Sequence, residues 1–362
     1  MNYSSIRSLL FRMDPEAAHD LTVRLLSWMQ SVPPLMSAVR RRMSVRDERL
    51  RSRVFGLDFP NPVGLAAGFD KHASVYPAVA ALGFGFVETG TLTPRPQPGN
   101  PKPRLFRLPD DQAVINRMGF NNHGVEAARR SFETLPRPPV PVGINLGKNK
   151  DTPNERAVDD YLTGLERLYA YGDYFVINIS SPNTQGLRDL QQAEALDGLV
   201  GPVMNRRNRL SEETGLHRPV LVKIAPDLDP ASLDEILAVI TKQRVDGIIA
   251  TNTTLSREGL RSAARTETGG LSGRPLTRLS TEWIRRIYAS TGGNLPIIGV
   301  GGIFHAADAY EKIRAGASLV QVYTGMIYHG PSIAADINRE LAALLERDGF
   351  PSIREAVGAD HR

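Results

Sequence analysis

From about residue 54 the chain repeats one rhythm eight times, a short unalternating apolar run followed by a helix-length segment. The runs fall at 63–67, 86–89, 142–146, 174–179, 221–225, 247–251, 297–300 and 319–323. Helix-length segments such as 154–170, 231–243, 277–290 and 306–315 lie between them. A strand apolar on both faces belongs in a parallel sheet covered on each side, and parallel neighbours need a crossover, usually a helix. Eight consecutive units predict an α/β fold, the (β/α)8 TIM barrel. A doubly wound sheet is the runner-up, but it rarely needs eight such units.

The first 53 residues break this rhythm. Ile6, Leu9, Leu10 and Met13 recur at helical spacing. Asp14-Pro15-Glu16 then supplies an N-cap, an N1 proline and a first-turn acid for a second helix. Ala18, Leu21, Leu25, Trp28 and Met29 stripe that helix, which stops before Pro33. Its length of about 22 Å is short of a hydrocarbon core of about 30 Å. Leu35, Met36 and Val39 follow, then arginines at 40, 41, 42, 46, 49, 51 and 53. The expected division is therefore a helical segment over 1–53 and a barrel over 54–362. Two readings fit the segment. It is a helical cap with solvated arginines, or an interfacial anchor whose apolar stripes enter a membrane surface while the arginines meet anionic headgroups.

Composition removes several function classes. A net charge of +5 would suggest nucleic acid, but residues 1–53 hold ten Lys/Arg against five Asp/Glu, and the other 309 residues hold 34 of each. The basic excess is local, and no nucleic-acid partner is expected. Cysteine is absent, which excludes disulfides, cysteine-ligated clusters and a cysteine nucleophile or base. No two of the seven histidines lie within four residues of each other, so no local metal-ligand pair exists and no metal is expected. Arg7, Arg12 and Asp14 interrupt any signal-peptide core. No run of about 18 apolar residues appears, so no single-helix membrane span is expected.

Polar residues gather just past the apolar runs, where barrel enzymes place their chemistry. Gly299-Val-Gly-Gly-Ile303 after the seventh run and Tyr323-Thr-Gly325 after the eighth would let backbone amides approach an anion. Tight turns alone could explain either glycine cluster. On adjacent strands, together, they favour a phosphate site. Two lookalikes fail: Phe304 stands where a dinucleotide fingerprint needs glycine, and Gly143-Ile-Asn-Leu-Gly-Lys148 is one residue short of a P-loop. The rest of the inventory is Asn116, Asn145, Asn178, Asn183 and Asn252, with Lys71 and Lys223. Asparagine offers donor and acceptor together and so matches the edge of a pyrimidine or an isoalloxazine. A lysine there pairs with a carboxylate or stabilises charge developing on a flavin. Two connections, 92–121 and 252–275, are too long for plain βα loops, and the first is expected to form a small hairpin over the barrel mouth.

The motifs LAAGFDK (65–71), GTLTPRPQPGN (90–100), INRMGFNN (115–122), NISSPNT (178–184), KIAPD (223–227), ATNTT (250–254), GGLSGRP (269–275) and GVGGI (299–303) resemble those of the membrane-associated, quinone-dependent class 2 dihydroorotate dehydrogenases, over nearly the whole chain. The resemblance implies FMN held by Ala67, Gly68, Phe69, Asp70, Lys71, Thr91, Asn145, Asn178, Lys223, Thr251, Gly273, Gly302, Tyr323 and Thr324. It implies dihydroorotate or orotate held by Lys71, Asn116, Arg117, Met118, Gly119, Phe120, Asn178, Asn183, Asn252 and Thr253. The family's base falls on Ser181; class 1 relatives use cysteine there, and this chain has none.

The implied reaction, within pyrimidine (UMP) biosynthesis, removes the C5 proton through Ser181 while hydride passes from C6 to flavin N5. A serine hydroxyl is a weak base at neutral pH, so the step needs concurrent loss of hydride or a proton path beyond Ser181. His19, Arg107 and Tyr323 match family positions near the quinone. Together with the charge distribution, the resemblance favours the anchor reading: a peripheral protein on the cytoplasmic side of a bacterial cell membrane, facing an anionic surface, with no obligate protein partner evident. A second flavin barrel, tRNA dihydrouridine synthase, fits poorly because it needs a basic body and a cysteine acid. A non-catalytic membrane scaffold with a degenerate barrel is the remaining alternative, and flavin absorbance on purification separates it from the enzyme.

Overall fold

A computed structural model describes residues 3–362. Eight parallel strands close into a barrel: β1 (Val63–Leu65), β2 (Phe86–Leu92), β3 (Val142–Leu146), β4 (Tyr174–Asn178), β5 (Val220–Ile224), β6 (Gly247–Ala250), β7 (Ile297–Val300) and β8 (Leu319–Val322). Each pairs with its sequence neighbour, and Val320 opposite Val63 closes the ring. The strands are buried from end to end because helices cover the outside and side chains fill the inside. β2 outruns its apolar segment by three residues, since Gly90 still pairs with Asn145 and, past an irregularity, Leu92 with Leu146. The expected helices appear as Ala157–Leu168, Pro230–Lys242, Thr277–Ser290 and Ala306–Arg314.

The barrel floor is plugged by aromatic rings. Phe86 stacks edge-on to Phe59 at 5.3 Å and faces Tyr174 at 6.4 Å between centroids. Gly64 and Gly143 leave room for these rings, since a Cβ at either would collide with Phe86 or Tyr174. Phe59 arrives on a short hairpin, Ser52–Val54 against Leu57–Phe59, so the 53/54 junction lies inside a paired strand.

The expected hairpin over the mouth is Leu105–Leu108 against Ala113–Asn116, with Phe106 opposite Ile115. The second long connection adds a third strand: Gly270–Gly273 pairs antiparallel with the other edge of Ala113–Asn116. Leu108, Ala113, Ile115 and Leu271 form its own small core.

Three helices precede the barrel: α1 (Tyr3–Leu10), α2 (Pro15–Gln30) and α3 (Pro33–Met43). Asp14 caps α2, its carboxylate accepting the amides of Glu16 (3.0 Å) and Ala17 (2.9 Å). The proline that stops α2 opens α3 at its first position. The segment is tied down at few points. The Tyr3 hydroxyl donates to the Ile327 carbonyl (2.8 Å), Gln30 to that of Ser74 (2.8 Å), and buried Glu16 on α2 holds buried Arg104 beside the hairpin (2.8 Å). Among the described residues, no helix is long and apolar enough to cross a membrane.

Candidate active site

A cleft lies at the C-terminal ends of the strands. Strand ends deliver Ala67, Gly68 and Lys71 from β1, Thr91 from β2, Asn178, Ser181 and Asn183 from β4, and Lys223 from β5. β6 gives Thr251, Asn252 and Thr253; β7 gives Gly302; β8 gives Tyr323 and Thr324. The mouth sheet and the loop after it add Asn116, Met118, Gly119, Phe120 and Gly273, and α2 brings His19 to the rim.

Five expected residues stand outside this lining. Phe69 packs its ring edge-on to His19 at 5.2 Å. The Asp70 carboxylate accepts the amides of Ser74 (2.8 Å) and Val75 (2.9 Å). Asn145 is fully buried behind Thr91 and Asn178. Arg117 covers Phe106 and pairs with Glu267 at 2.7 Å, joining the hairpin to the loop after β6. Arg107 covers Phe11 and donates to the Met13 carbonyl (2.8 Å), joining the hairpin to the α1–α2 turn.

The floor is a chain of side-chain hydrogen bonds that fixes the amides. Asn178 donates to Thr91 Oγ1 (2.9 Å) and Asn145 Oδ1 (3.0 Å), and Thr91 donates to Asn145 Oδ1 (2.6 Å). Asn145 in turn donates to Glu88 Oε1 (2.8 Å), while Gln321 (2.7 Å) and the Tyr174 hydroxyl (3.3 Å) donate to Glu88 Oε2. Glu88, 1% exposed, is therefore the buried anchor of the network. The sequence reading passed over it and over Gln321. The available signal was a charged residue inside an otherwise apolar strand.

Several groups along the cleft lack a partner within the chain. The side-chain oxygens of Thr251, Thr253 and Gln321 are buried and unpaired, and no hydrogen bond or ion pair reaches the buried Lys223 ammonium among the described residues. Burial lowers the Lys223 pKa, and the Glu88 charge raises it in part. At the far side, Gly301 and Gly302 take positive φ (125° and 69°), and a Cβ on Gly302 would collide with Thr277. The amides of Gly301, Gly302, Thr324 and Gly325 find no acceptor among the described residues, so two neighbouring turns present free donors to the cleft. Unpaired buried groups of this kind mark a place where a polar ligand completes the hydrogen bonding.

At the opposite rim, Lys71 Nζ lies 3.4 Å from His19 Nε2. Burial, helped by Lys71, pushes His19 down to about 3, so its imidazole is neutral. Burial likewise brings Lys71 down to about 8, against the pull of Glu16 and Asp20. Ser181 is buried, and its Oγ accepts the Asn183 amide at 3.3 Å. Asn183 also donates to Asn116 Oδ1 (3.2 Å), and Asn252 to Ser180 Oγ (3.0 Å). No carboxylate or imidazole reaches Ser181 Oγ among the described residues.

The family model described as dihydroorotate dehydrogenase matches residues 49–345. A protein of Anaeromyxobacter dehalogenans named dihydroorotate dehydrogenase (quinone) is 54% identical, covering 100% of this chain and 98% of that one. A protein of the same name from Acidithiobacillus ferrooxidans is 53% identical over 99% of each. The crystal structure of ligand-free type DHODH from Eimeria tenella superposes with a TM-score of 0.88 at 44% identity, covering 96% of this chain and all of that one. By these full-length likenesses and its closed barrel, the chain belongs to the dihydroorotate dehydrogenase family, on the branch whose members bear the quinone-dependent name.

Proposed function

We propose that the chain oxidises (S)-dihydroorotate to orotate with a membrane quinone as acceptor and FMN as resident cofactor, in the biosynthesis of pyrimidine nucleotides. The observation that carries this reading is the convergence, in one cleft of a chain of this family, of Ser181, buried Lys223, half-buried Lys71 and an asparagine-rich wall, with a helix of the N-terminal segment at its rim.

The residues present fit FMN. The free amides of Gly301, Gly302, Thr324 and Gly325 suit a phosphate. The unpaired Thr251 and Gln321 oxygens, and the Lys223 ammonium, suit the polar edge of a flavin ring. Ala67, Gly68, Lys71, Thr91, Asn178, Gly273 and Tyr323 would wall it in, with Phe69, Asp70 and Asn145 supporting them from behind. When bound, FMN supplies the acceptor for the hydride leaving C6 and the carrier of the electron pair to quinone.

The chain's own residues account for the rest. Lys71 is the cation for the substrate carboxylate, and the amides of Asn116, Asn178, Asn183 and Asn252 orient the ring, within the wall of Met118, Gly119, Phe120 and Thr253, while Arg117 fastens the hairpin to the loop after β6 from outside the cleft. Ser181 Oγ keeps a lone pair free beside its bond from the Asn183 amide and would take the C5 proton while its own hydroxyl proton passes to water, in concert with hydride departure from C6. Lys223, whose pKa burial lowers and the Glu88 charge raises in part, faces the cleft floor where negative charge would develop.

His19, Arg107 and Tyr323 line the approach of the quinone between the N-terminal helices and the barrel. Residues 1–53 act as the membrane-associating segment of a peripheral protein on the cytoplasmic side of a bacterial membrane. Exposed Ile6, Leu9, Leu21, Leu25 and Trp28 support this, as do exposed Arg40, Arg41, Arg42 and Arg46, which make no ion pair among the described residues. The decisive assay is dihydroorotate-dependent reduction of a long-tail quinone by the purified, detergent-solubilised chain. Flavin absorbance with steady turnover is expected. A colourless protein, or a yellow one inert to dihydroorotate with both quinone and soluble dye, overturns the reading.

A further inference from the structure

Behind the turn formed by Gly301 and Gly302 lies a cation with no counter-ion. Lys312, on the helix Ala306–Arg314, is 0% exposed. The buried arginines each hold a carboxylate, Arg104 that of Glu16 and Arg207 that of Asp246. Lys312, like buried Lys148 and Lys223, holds none among the described residues. Its ammonium donates to the Thr277 carbonyl (3.0 Å) and the Thr281 hydroxyl (2.9 Å). A buried charge without a paired anion is costly, and an apolar side chain of the same length would fill the space more favourably.

The position of that charge is informative. Thr277, whose carbonyl takes the Lys312 ammonium, donates its own hydroxyl to the Gly302 carbonyl at 2.9 Å. The lysine stem runs behind β7, its Cδ 3.5 Å from where a Cβ on Gly299 would stand. Thr277 thus links the two, accepting from the ammonium at its carbonyl and donating through its hydroxyl to Gly302, the residue that carries one of the free amides. Burial pushes the lysine down to about 7, and the charges that act on it are Glu311 and Asp308 of its own helix, which pull it back up. Glu311 is exposed, and Asp308 is already engaged by Arg274 and by the amides of Phe304 and His305. Gly299, Thr277 and Thr281, which face it from β7 and from the helix Thr277–Ser290, carry no charge.

We propose that Lys312 is a phosphate-coupled cation of the flavin site, holding its proton when a flavin phosphate dianion occupies the Gly301, Gly302, Thr324 and Gly325 amides, and stabilising that anion from behind without touching it. The proposal rests on the FMN reading. It assigns Lys312 a positioning and electrostatic role, and it makes FMN binding proton-linked: affinity is highest where Lys312 is charged and falls as pH rises through its free-state pKa.

The test titrates flavin-stripped full-length chain with FMN and with riboflavin, which lacks the phosphate, following flavin fluorescence at pH 7 and pH 9. A phosphate monoester has its second pKa near about 6 and is a dianion at both values, so the pH effect reports the protein. Expected for the wild type is about ten-fold weaker FMN binding at pH 9, with riboflavin unchanged. Lys312→Met should weaken FMN about ten-fold at pH 7, leave riboflavin unchanged and abolish the pH effect. Equal weakening of both flavins in the variant, or a wild-type FMN-to-riboflavin affinity ratio that does not move with pH, overturns the proposal and leaves Lys312 a tie between two helices. Should Lys312→Met fail to fold, Lys312→Arg, which keeps its charge at pH 9, decides: an FMN-to-riboflavin ratio that holds between pH 7 and pH 9 is expected, and one that falls as in the wild type overturns the proposal. Wild type that binds neither flavin fails the FMN reading itself, and this proposal with it.

Discussion

The barrel and the N-terminal helices handle apolar surface in opposite ways. Along β1 to β8 every residue is buried, whereas α3 buries none and α2 only Glu16 and Ala18. Leu9, Leu25 and Trp28 are 64, 57 and 61% exposed. The barrel satisfies itself: its strands pair in a ring, and its helices cover them. The N-terminal segment is amphipathic in the same way but leaves apolar side chains facing outward. One region is a self-contained scaffold, and the other is a helical segment with an exposed apolar face, held to the barrel by polar ties and by Val23, Leu26 and Val39 packed against its core.

The sharpest way to divide them is to disable the barrel's chemistry alone. Ser181→Ala should lower turnover by about 100-fold or more while flavin content, melting temperature and vesicle binding stay as they are. Turnover close to wild type in a fully flavinated variant would remove Ser181 from the role of base.

The tie between the regions is the next largest effect. Arg104 also donates to the Pro98 and Asn100 carbonyls (2.7 and 2.8 Å), so Arg104→Ala strands two carbonyls and leaves the buried Glu16 carboxylate with only the exposed Lys102 (3.2 Å). A loss of about 3 kcal/mol is expected for breaking such a pair, read from the urea midpoint. Limited proteolysis should then cut within residues 14–33 before the barrel. Cleavage that still starts in the barrel would contradict the picture of a weakly held segment. Burial raises the Glu16 pKa, but the Arg104 hydrogen bond and charge, with those of Lys102, outweigh it and hold the carboxyl below its usual value. The tie is therefore complete above the unfolded carboxyl pKa and is lost as pH falls through the lower folded one.

A smaller effect tests the rim shared by both regions. Because Lys71 sits near 8, its charge is present below that pH and lost above it. The KM for dihydroorotate should rise, approaching about ten-fold per pH unit above 8. A profile flat from pH 7 to 9.5 would separate Lys71 from substrate binding. Smallest in stability is Trp28→Ser, which should shift unfolding by no more than about 0.5 kcal/mol yet weaken binding to anionic vesicles several-fold. Unchanged vesicle binding would send the stripe back to being a plain helical cap.

Much of this was legible in the residues. The eight apolar runs located the eight strands, two of them to the residue (Val142–Leu146 and Ile297–Val300), because a parallel strand buried on both faces leaves no alternation to misread. Asp14-Pro15 located the start of α2 because capping is a local transaction between neighbours. The hairpin over the mouth was also within reach. Its third strand, Gly270–Gly273, was not, since it pairs with Ala113–Asn116 about 150 residues away and has no apolar pattern of its own.

The chain's order of apolar and polar residues thus determined the barrel, the strand ends where its polar residues gather, and the helices that precede it, all of which depend on periodicity and neighbours. The tertiary structure decided which charges meet. Glu88 became the anchor of Asn145 and Gln321, Arg107 and Arg117 turned away from the cleft, and Lys312 came to lie unpaired behind Gly302. Side chains far apart in sequence meet only once the ring has closed, and no local pattern encodes the distance between them.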